Sequence, residues 1–370
     1  MILSSIRLKN FRLHKEVSIN FSDGINYIVG GNGKGKTTIL ESIYFLCTTK
    51  SSSSRSDSEA VSFSENGFEI SGIFKDRTEN KIKITYSLTD NKKNYLQDNK
   101  IIGRASEIIG KYPVVLLTPE DHSITQGSPS ERRRLADSII SQASETYLKT
   151  LIEYNKVLKN RSSLLSQFRE NKRYFNKNEF DSWTEKLADY GTLIIEARIK
   201  FISAFNEYIS ESYFRIMNRE ETPSIKYSYL NDSTERDIKK IFIQALSEKR
   251  EEELRRASNL VGPHKDDFVF EINGINLKTF GSQGQHKTFQ TAIRFAQFFY
   301  LKEISGKTPL FLLDDVFGEL DSNRAKKISE YLSEVGQTFI TLTDFSDFSF
   351  LKKKETDLLI RLNEGSVAYA

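Results

Sequence analysis

The sequence predicts an α/β protein whose mixed sheets, with flanking helices, are split by an inserted antiparallel helical arm. Three observations predict it. Strand, glycine loop and helix succeed one another between Ile25 and Leu46. A helical period then persists for about ninety residues after Pro129. Strand, helix and strand alternate again from Leu310 to Leu362. At 370 residues the chain has room for two or three domains.

Taken in order, Ile2, Ile6 and Leu8 lead to Phe11, and Val17, Ile19 and Phe21 alternate with polar residues, as half-buried strands require. Ile25 to Val29 is a short apolar run after Gly24 and reads as a buried strand. From Thr37, the residues Ile39, Leu40, Ile43, Tyr44 and Leu46 form one helical stripe, followed by a serine-rich loop from Ser51 to Ser58. Strands are expected at Phe68 to Phe74, Ile82 to Leu88 and Val114 to Leu117, with a turn at Asp98 and Asn99. Leu135, Ile139, Tyr147, Leu151, Tyr154, Leu158, Leu165 and Phe168 then share one helical pattern. Trp183, Leu187, Tyr190, Ile194, Ala197, Phe201, Ala204 and Tyr208 form a second, spaced four and three alternately.

Two antiparallel helices joined near Lys172 to Phe180 explain both stripes. Helices of some 35 residues would reach roughly 50 Å, an arm rather than a long coiled coil; an ordinary helical subdomain is the alternative. Beyond it come a strand at Ile225 to Tyr229, a charged helix from Thr234 to Arg256, a strand at Leu310 to Leu313, a helix at Asn323 to Val335, and strands at Thr338 to Leu342 and Leu358 to Leu362. The expected divisions are 1–126 and 219–370, two halves of one α/β body, with the arm at 127–218.

Composition narrows the class. Sparse glycine and proline argue against collagen-like or disordered chains. No apolar run approaches the roughly 18 to 20 residues that cross a bilayer, and Met1 to Asn10 carries Arg7 and Lys9 in place of a signal-peptide core. Cys47, the single cysteine, can form neither an intramolecular disulfide nor a paired zinc knuckle, which fits a reducing, cytoplasmic setting. A net charge of +4 permits nucleic-acid binding without requiring it.

Gly30, Gly31, Asn32, Gly33, Lys34, Gly35, Lys36 and Thr37 fit GxxxxGK[ST], with a strand before and a helix after, and Thr38 next in the chain. This is a Walker A phosphate loop. Its glycines let backbone N–H groups curl around phosphate oxygens, Lys36 reaches the β and γ phosphates of ATP, and the Thr37 hydroxyl ligates Mg²⁺. Leu310 to Leu313 followed by Asp314 and Asp315 supplies the partner. We assign Asp314 to Mg²⁺ and Asp315 to the attacking water, so that Lys36 and Asp315 are the catalytic pair.

The segment around Ser282, Gly284 and Gln285 resembles the signature loop of ABC-type ATPases, and Gly318 to Asp321 resembles their D-loop. A Ser and a Gly at a helix N-terminus make an anion site; a plain polar helix cap is the structural alternative. Together with Leu8 to Arg12, Gly127 to Ser130 followed by Arg132 to Arg134, Ser182 to Gly191 and Val261 to Phe268, these motifs resemble the RecF family of bacterial recombination-repair ATPases over nearly the whole chain. The resemblance implies an ABC-type head in two lobes with a short helical arm. It also implies an ATP-state homodimer in which Ser282, Gly284 and Gln285 act in trans, binding to double-stranded and gapped or junction DNA, and work with RecO and RecR in loading RecA.

Two positions depart from the wider ABC pattern. Thr343 and Asp344 stand where a switch histidine is sought, and Glu120 and Asp121 where a Q-loop glutamine is sought, so weak hydrolysis is expected, and the resemblance implies that it is DNA-dependent. His264 reads as structural, and Asp266 with Asp267 lacks the further carboxylates of a metal nuclease. Candidate DNA contacts are Arg132, Arg133 and Arg134, Lys172 and Arg173, and Arg55 with Lys50, all sequence-blind phosphate contacts. Tyr174 and Phe175 beside Arg173 could stack on unpaired bases, but packing in the helix-loop core is the preferred reading. Another SMC-like or ABC-type ATPase driving a different partner, such as a transporter motor, is the competing reading. A zinc-hooked ATPase is excluded by the lone Cys47.

Overall fold

Leu3 shares a face with Ile6 and Leu8 of the first strand only because the strand bulges. In β1 (Ile2–Phe11), Leu3, Ile6, Leu8 and Phe11 are buried, and the pairing register shifts between Leu3 and Ser5, which turns Leu3 and Ile6 to the same side. The chain continues through β2 (His14–Asn20), β3 (Ile25–Val29), α1 (Lys36–Thr48), β4 (Gly67–Lys75), β5 (Glu79–Ser87), β6 (Lys92–Gln97), β7 (Lys100–Ile102) and β8 (Val114–Leu117). It then runs into α2 (His122–Gln126), α3 (Pro129–Ala143), α4 (Glu145–Glu170), α5 (Lys177–Met217), β9 (Pro223–Ser228) and α6 (Ile238–Arg256). Last come β10 (Asp267–Ile272), β11 (Ile275–Asn276), α7 (Leu277–Phe280), α8 (Gln283–Ser305), β12 (Leu310–Leu313), α9 (Ser322–Tyr331), β13 (Thr338–Leu342), β14 (Leu358–Asn363) and β15 (Ser366–Tyr369). This computed structural model describes residues 1–52, 56–170, 175–217, 221–230, 237–319, 322–344, 354–363 and 366–369.

Two compact units result. The first comprises Met1–Asp121, Glu211–Arg219 and Thr291–Ala370, the second His122–Ser210 and Glu220–Gln290. These do not follow the sequence divisions at 126/127 and 218/219. The described part of 220–290 packs with the helices because Asn206 of α5 bonds to both the N–H and the carbonyl of Ile225 in β9, and Asp266 and Asp267 bond to arginines of α5 and α3.

The first unit holds two sheets. One is antiparallel, ordered β2-β1-β4-β5-β6-β7; the other, ordered β15-β14-β3-β13-β12-β8, is parallel except for the β14–β15 pair. β3, β8, β12 and β13 are nearly continuous apolar runs, as strands covered on both faces must be. Ile28, Leu312, Phe339 and Ile360 from the parallel sheet meet Ile39, Ile43 and Leu46 of α1 and Ile6, Ile70 and Ile84 of the antiparallel sheet in one core. Truncating Ile43 there to Ala would cost about 2–5 kcal/mol. On the opposite face Phe311 meets Phe295 edge-on at 5.0 Å, and Phe295 stacks on Tyr331 of α9 at 4.3 Å.

In the second unit α4 and α5 run antiparallel: Arg161 bonds to Thr184, while further back Tyr147 bonds to Arg198. Two details differ from the sequence expectation. The first stripe is two helices, broken at Ser144, whose extended backbone lets its hydroxyl accept from Tyr147 N at 3.2 Å. In α5 the buried positions include Leu187, Ile194, Ile195, Arg198, Phe201, Ile202, Phe205 and Ile209, while Ala204 is exposed. A straight helix of 3.6 residues per turn drifts away from a strict heptad. The buried face therefore walks round α5 and takes in Arg198.

Candidate functional site

Because β3, β12 and β13 are parallel, their C-terminal ends lie along one edge of the sheet, where α/β proteins place their ligands. The loop 30–35 leaves β3 there, with Gly30 N bonded to Leu342 O of β13 at 3.2 Å. Gly35 caps α1 in the left-handed region at φ 84°, and Gly33 has φ 77°, backbone that a side chain would strain. Lys36 Nζ donates to Gly30 O at 2.6 Å and Gly31 O at 3.2 Å, folding back over its own loop. Burial lowers the Lys36 pKa, and Asp315 and Asp314 act against that shift.

Asp314 and Asp315 emerge from β12 beside this loop. Asp314 N bonds to Leu117 O of β8 at 2.9 Å, and Thr37 Oγ1 donates to Asp314 Oδ1 at 3.0 Å. Burial raises the Asp314 pKa, hydrogen bonds from Thr341 and Thr37 oppose it, and the charges of Glu120 and Asp315 add to it. Asp315 is exposed and carries φ 48°. A hydroxyl and a carboxylate oxygen thus meet at one point, the hard-oxygen donor set that Mg²⁺ takes beside phosphates. Lys36, Thr37, Asp314 and Asp315 are brought together from positions 277 residues apart in sequence.

Sequence reasoning missed two residues here. His14, at the start of β2, places Nε2 3.1 Å from Gly35 O, and burial lowers its pKa. Thr341 Oγ1 donates to Asp314 Oδ1 at 2.7 Å. Neither left a usable signal: Thr341 is one of two threonines in β13, Thr338 being the other, and His14 stands alone at the start of β2. Asp121, sought as a Q-loop substitute, is instead bonded twice to Arg294, at 2.6 and 2.7 Å, while Glu120 is exposed.

In the second unit, Ser282 and Gln285 form a reciprocal cap on α8. Ser282 Oγ accepts from Gln285 N at 3.2 Å, and Gln285 Oε1 accepts from Ser282 N at 2.9 Å. Ser282 is exposed, and Gly284 is half-buried. Arg132 is buried, with its fork committed to Asp267 at 2.8 Å on both nitrogens, and Arg133 donates to Asp266 O at 2.6 Å. Arg134, paired with Glu131, is the exposed member of the three. His264 is satisfied on both nitrogens, by Tyr154 Oη and Asn259 O, and burial pushes it down to about 4. Arg55, Lys172, Arg173, Tyr174, Leu320 and Asp321 lie outside the described residues.

Comparison with known proteins gives this geometry its kinship. The sequence profile of the RecF/RecN/SMC N-terminal domain family matches residues 2–348. The DNA replication and repair protein RecF of Chloroherpeton thalassium is 40% identical over 95% of this chain and 98% of its own length. The chain belongs to the RecF family. The namesake protein of Salinibacter ruber is 36% identical over 93% of this chain and 85% of its own. A solved structure of the recombination mediator protein RecF-ATPrS in the RecFOR pathway superposes with a TM-score of 0.90 at 32% identity, covering 100% of this chain and 98% of the other. The Smc head domain of Pyrococcus furiosus superposes at 0.56 with 18% identity over 100% and 95% of the two chains, a likeness of fold. The RecF-family chain is therefore an α/β ABC-type ATPase head with an extended helical region, within the SMC-like ATPases. No described helix is long and apolar enough to cross a membrane.

Proposed function

We propose that this RecF-family chain is an ATP-gated DNA clamp of replication and recombinational repair, closed by ATP-driven dimerisation and reopened by slow hydrolysis. The observation that carries it is the meeting of Lys36, Thr37, Asp314 and Asp315 at one sheet edge. Relatives named for DNA replication and repair, and a RecF-ATP structure of the RecFOR pathway, support the biological setting.

The loop from Gly30 to Gly35, together with Thr38, would wrap the phosphates with backbone N–H groups, strengthened by the N-terminus of α1. Lys36 would exchange the carbonyls of Gly30 and Gly31 for phosphate oxygens. Thr37 and Asp314 would hold Mg²⁺, which neutralises charge on the phosphates when bound. Asp315, exposed and adjacent to Lys36 and Asp314, would orient the attacking water. Ser282, Gly284 and Gln285, at the N-terminus of a 23-residue helix, would cap the γ-phosphate held by a second copy.

Double-stranded and gapped DNA would bind through exposed cations such as Arg134, and RecO- and RecR-type proteins would be partners in loading RecA. Thr343–Asp344 in place of a switch histidine supports weak hydrolysis, and DNA would stimulate it. A Lys36→Met protein should lose ATP binding and ATP-dependent retention on gapped DNA together in a filter-binding assay. Undiminished retention by that variant would overturn the gating reading.

A further inference from the structure

Thr341 is wholly buried in β13, flanked along the strand by Ile340 and Leu342. Its hydroxyl makes two bonds of fixed sense. Asp315 N lies 2.8 Å from Thr341 Oγ1, and a peptide N–H can only donate, so the hydroxyl accepts there and its single proton goes to Asp314 Oδ1 at 2.7 Å. One side chain therefore grips the carboxylate of Asp314 and the peptide that aims Asp315.

That peptide enters a left-handed residue, Asp315 at φ 48°, a conformation an L-residue keeps only where its surroundings hold it. Asp314 Oδ1 also accepts from Thr37 Oγ1, the hydroxyl that must turn to Mg²⁺ when nucleotide arrives. Thr341 is not in the loop and would keep its bond when Thr37 leaves. Register supports the role: Leu313 of β12 stands beside Ile340, so Thr341 is the β13 residue level with the step off β12.

We propose that Thr341 is a positioning residue that presets Asp314 for Mg²⁺ and Asp315 for water, coupling the two acidic roles through one hydroxyl. The inference rests on the ATPase reading above. It is tested by comparing wild type, Thr341→Val and Thr341→Ser in three measurements: binding of a fluorescent ATP analogue in EDTA and across a Mg²⁺ titration, steady-state turnover, and thermal unfolding. Thr341→Val should bind the analogue in EDTA within about twofold of wild type, because the phosphate loop is untouched. Its half-saturating Mg²⁺ should rise at least tenfold, the size typical of losing a group that orients a metal ligand. Its kcat should fall more than its KM changes, and Thr341→Ser, which keeps the O–H, should restore most of both.

A merely structural role predicts a lower melting temperature with unchanged Mg²⁺ half-saturation and kcat, and that result overturns the inference. So does a serine variant as impaired as valine. If wild type itself shows no Mg²⁺-dependent binding, the ATPase reading falls and carries this inference with it.

Discussion

Replacing Asp314 by Asn should make the nucleotide-free protein more stable and its Mg²⁺-dependent nucleotide binding much weaker. The amide keeps an oxygen that can accept from Thr37 and Thr341, at 3.0 and 2.7 Å, so both hydrogen bonds survive in shape. What disappears is a charge that burial opposes and that Glu120 and Asp315 repel. Because the folded pKa of Asp314 is raised, its charge costs stability above that pKa, and the cost fades as pH falls through it. The variant's advantage should thus be full at neutral pH and shrink on acidification. Relief of one partly compensated buried charge is of the order of 1–2 kcal/mol, or roughly 2–8 °C in melting temperature for a unit of this size. Loss of a direct ligand should weaken Mg²⁺-dependent binding of an ATP analogue by at least about 10- to 100-fold, with binding in EDTA nearly unchanged. Differential scanning calorimetry from pH 5 to 8, paired with the binding titration, reads both. A variant less stable than wild type at pH 7.5, or one with normal Mg²⁺ dependence, would refute the reasoning.

The second unit offers two further tests. Arg198 is wholly buried, bonds twice to Asp137 at 2.8 and 3.0 Å through one nitrogen, lies 3.6 Å from the buried carboxylate of Asp266, and donates to Pro263 O at 2.7 Å; Arg198→Met leaves both carboxylates without their cation and should cost about 3–5 kcal/mol in urea unfolding. A loss below 1 kcal/mol would show that the network is dispensable. His264 and Asp266 should pull in opposite directions with pH. His264, pushed down to about 4 by burial, loses stability for the fold as pH falls below 6.5, by up to about 3 kcal/mol. Asp266, pushed up to about 6, gains it as pH falls from there towards 3.8. Asp266→Asn should accordingly sharpen acid unfolding between pH 6.5 and 4 and His264→Gln should blunt it; parallel shifts in the two variants would contradict the assignment.

How much of this was legible depended on whether a residue's task was local. The phosphate loop, the Asp-Asp strand end and the buried parallel strands could all be read, because short spacing and apolar runs dictate them. The turn at Asp98 and Asn99 was readable for the same reason, and both residues take positive φ. The tasks of Arg132 and Arg198 were not readable. Each looks like a surface cation in its own helix, and only packing against partners far away in sequence, Asp267 for Arg132 and Asp137 and Pro263 for Arg198, buries it. Thr341 was hidden likewise: its role exists only through the alignment of β13 with β12. The two-residue β11 is too short to leave a pattern, whereas the alternating Phe268, Phe270 and Ile272 of β10 were legible and went unread.

The most direct test of the central claim is molar mass in solution by light scattering, without nucleotide, with ADP and with ATP, for wild type and Ser282→Arg. The account predicts that ATP alone doubles the wild-type mass while the variant stays monomeric. A wild-type mass indifferent to ATP would make Ser282 a helix cap and nothing more, and would contradict the clamp.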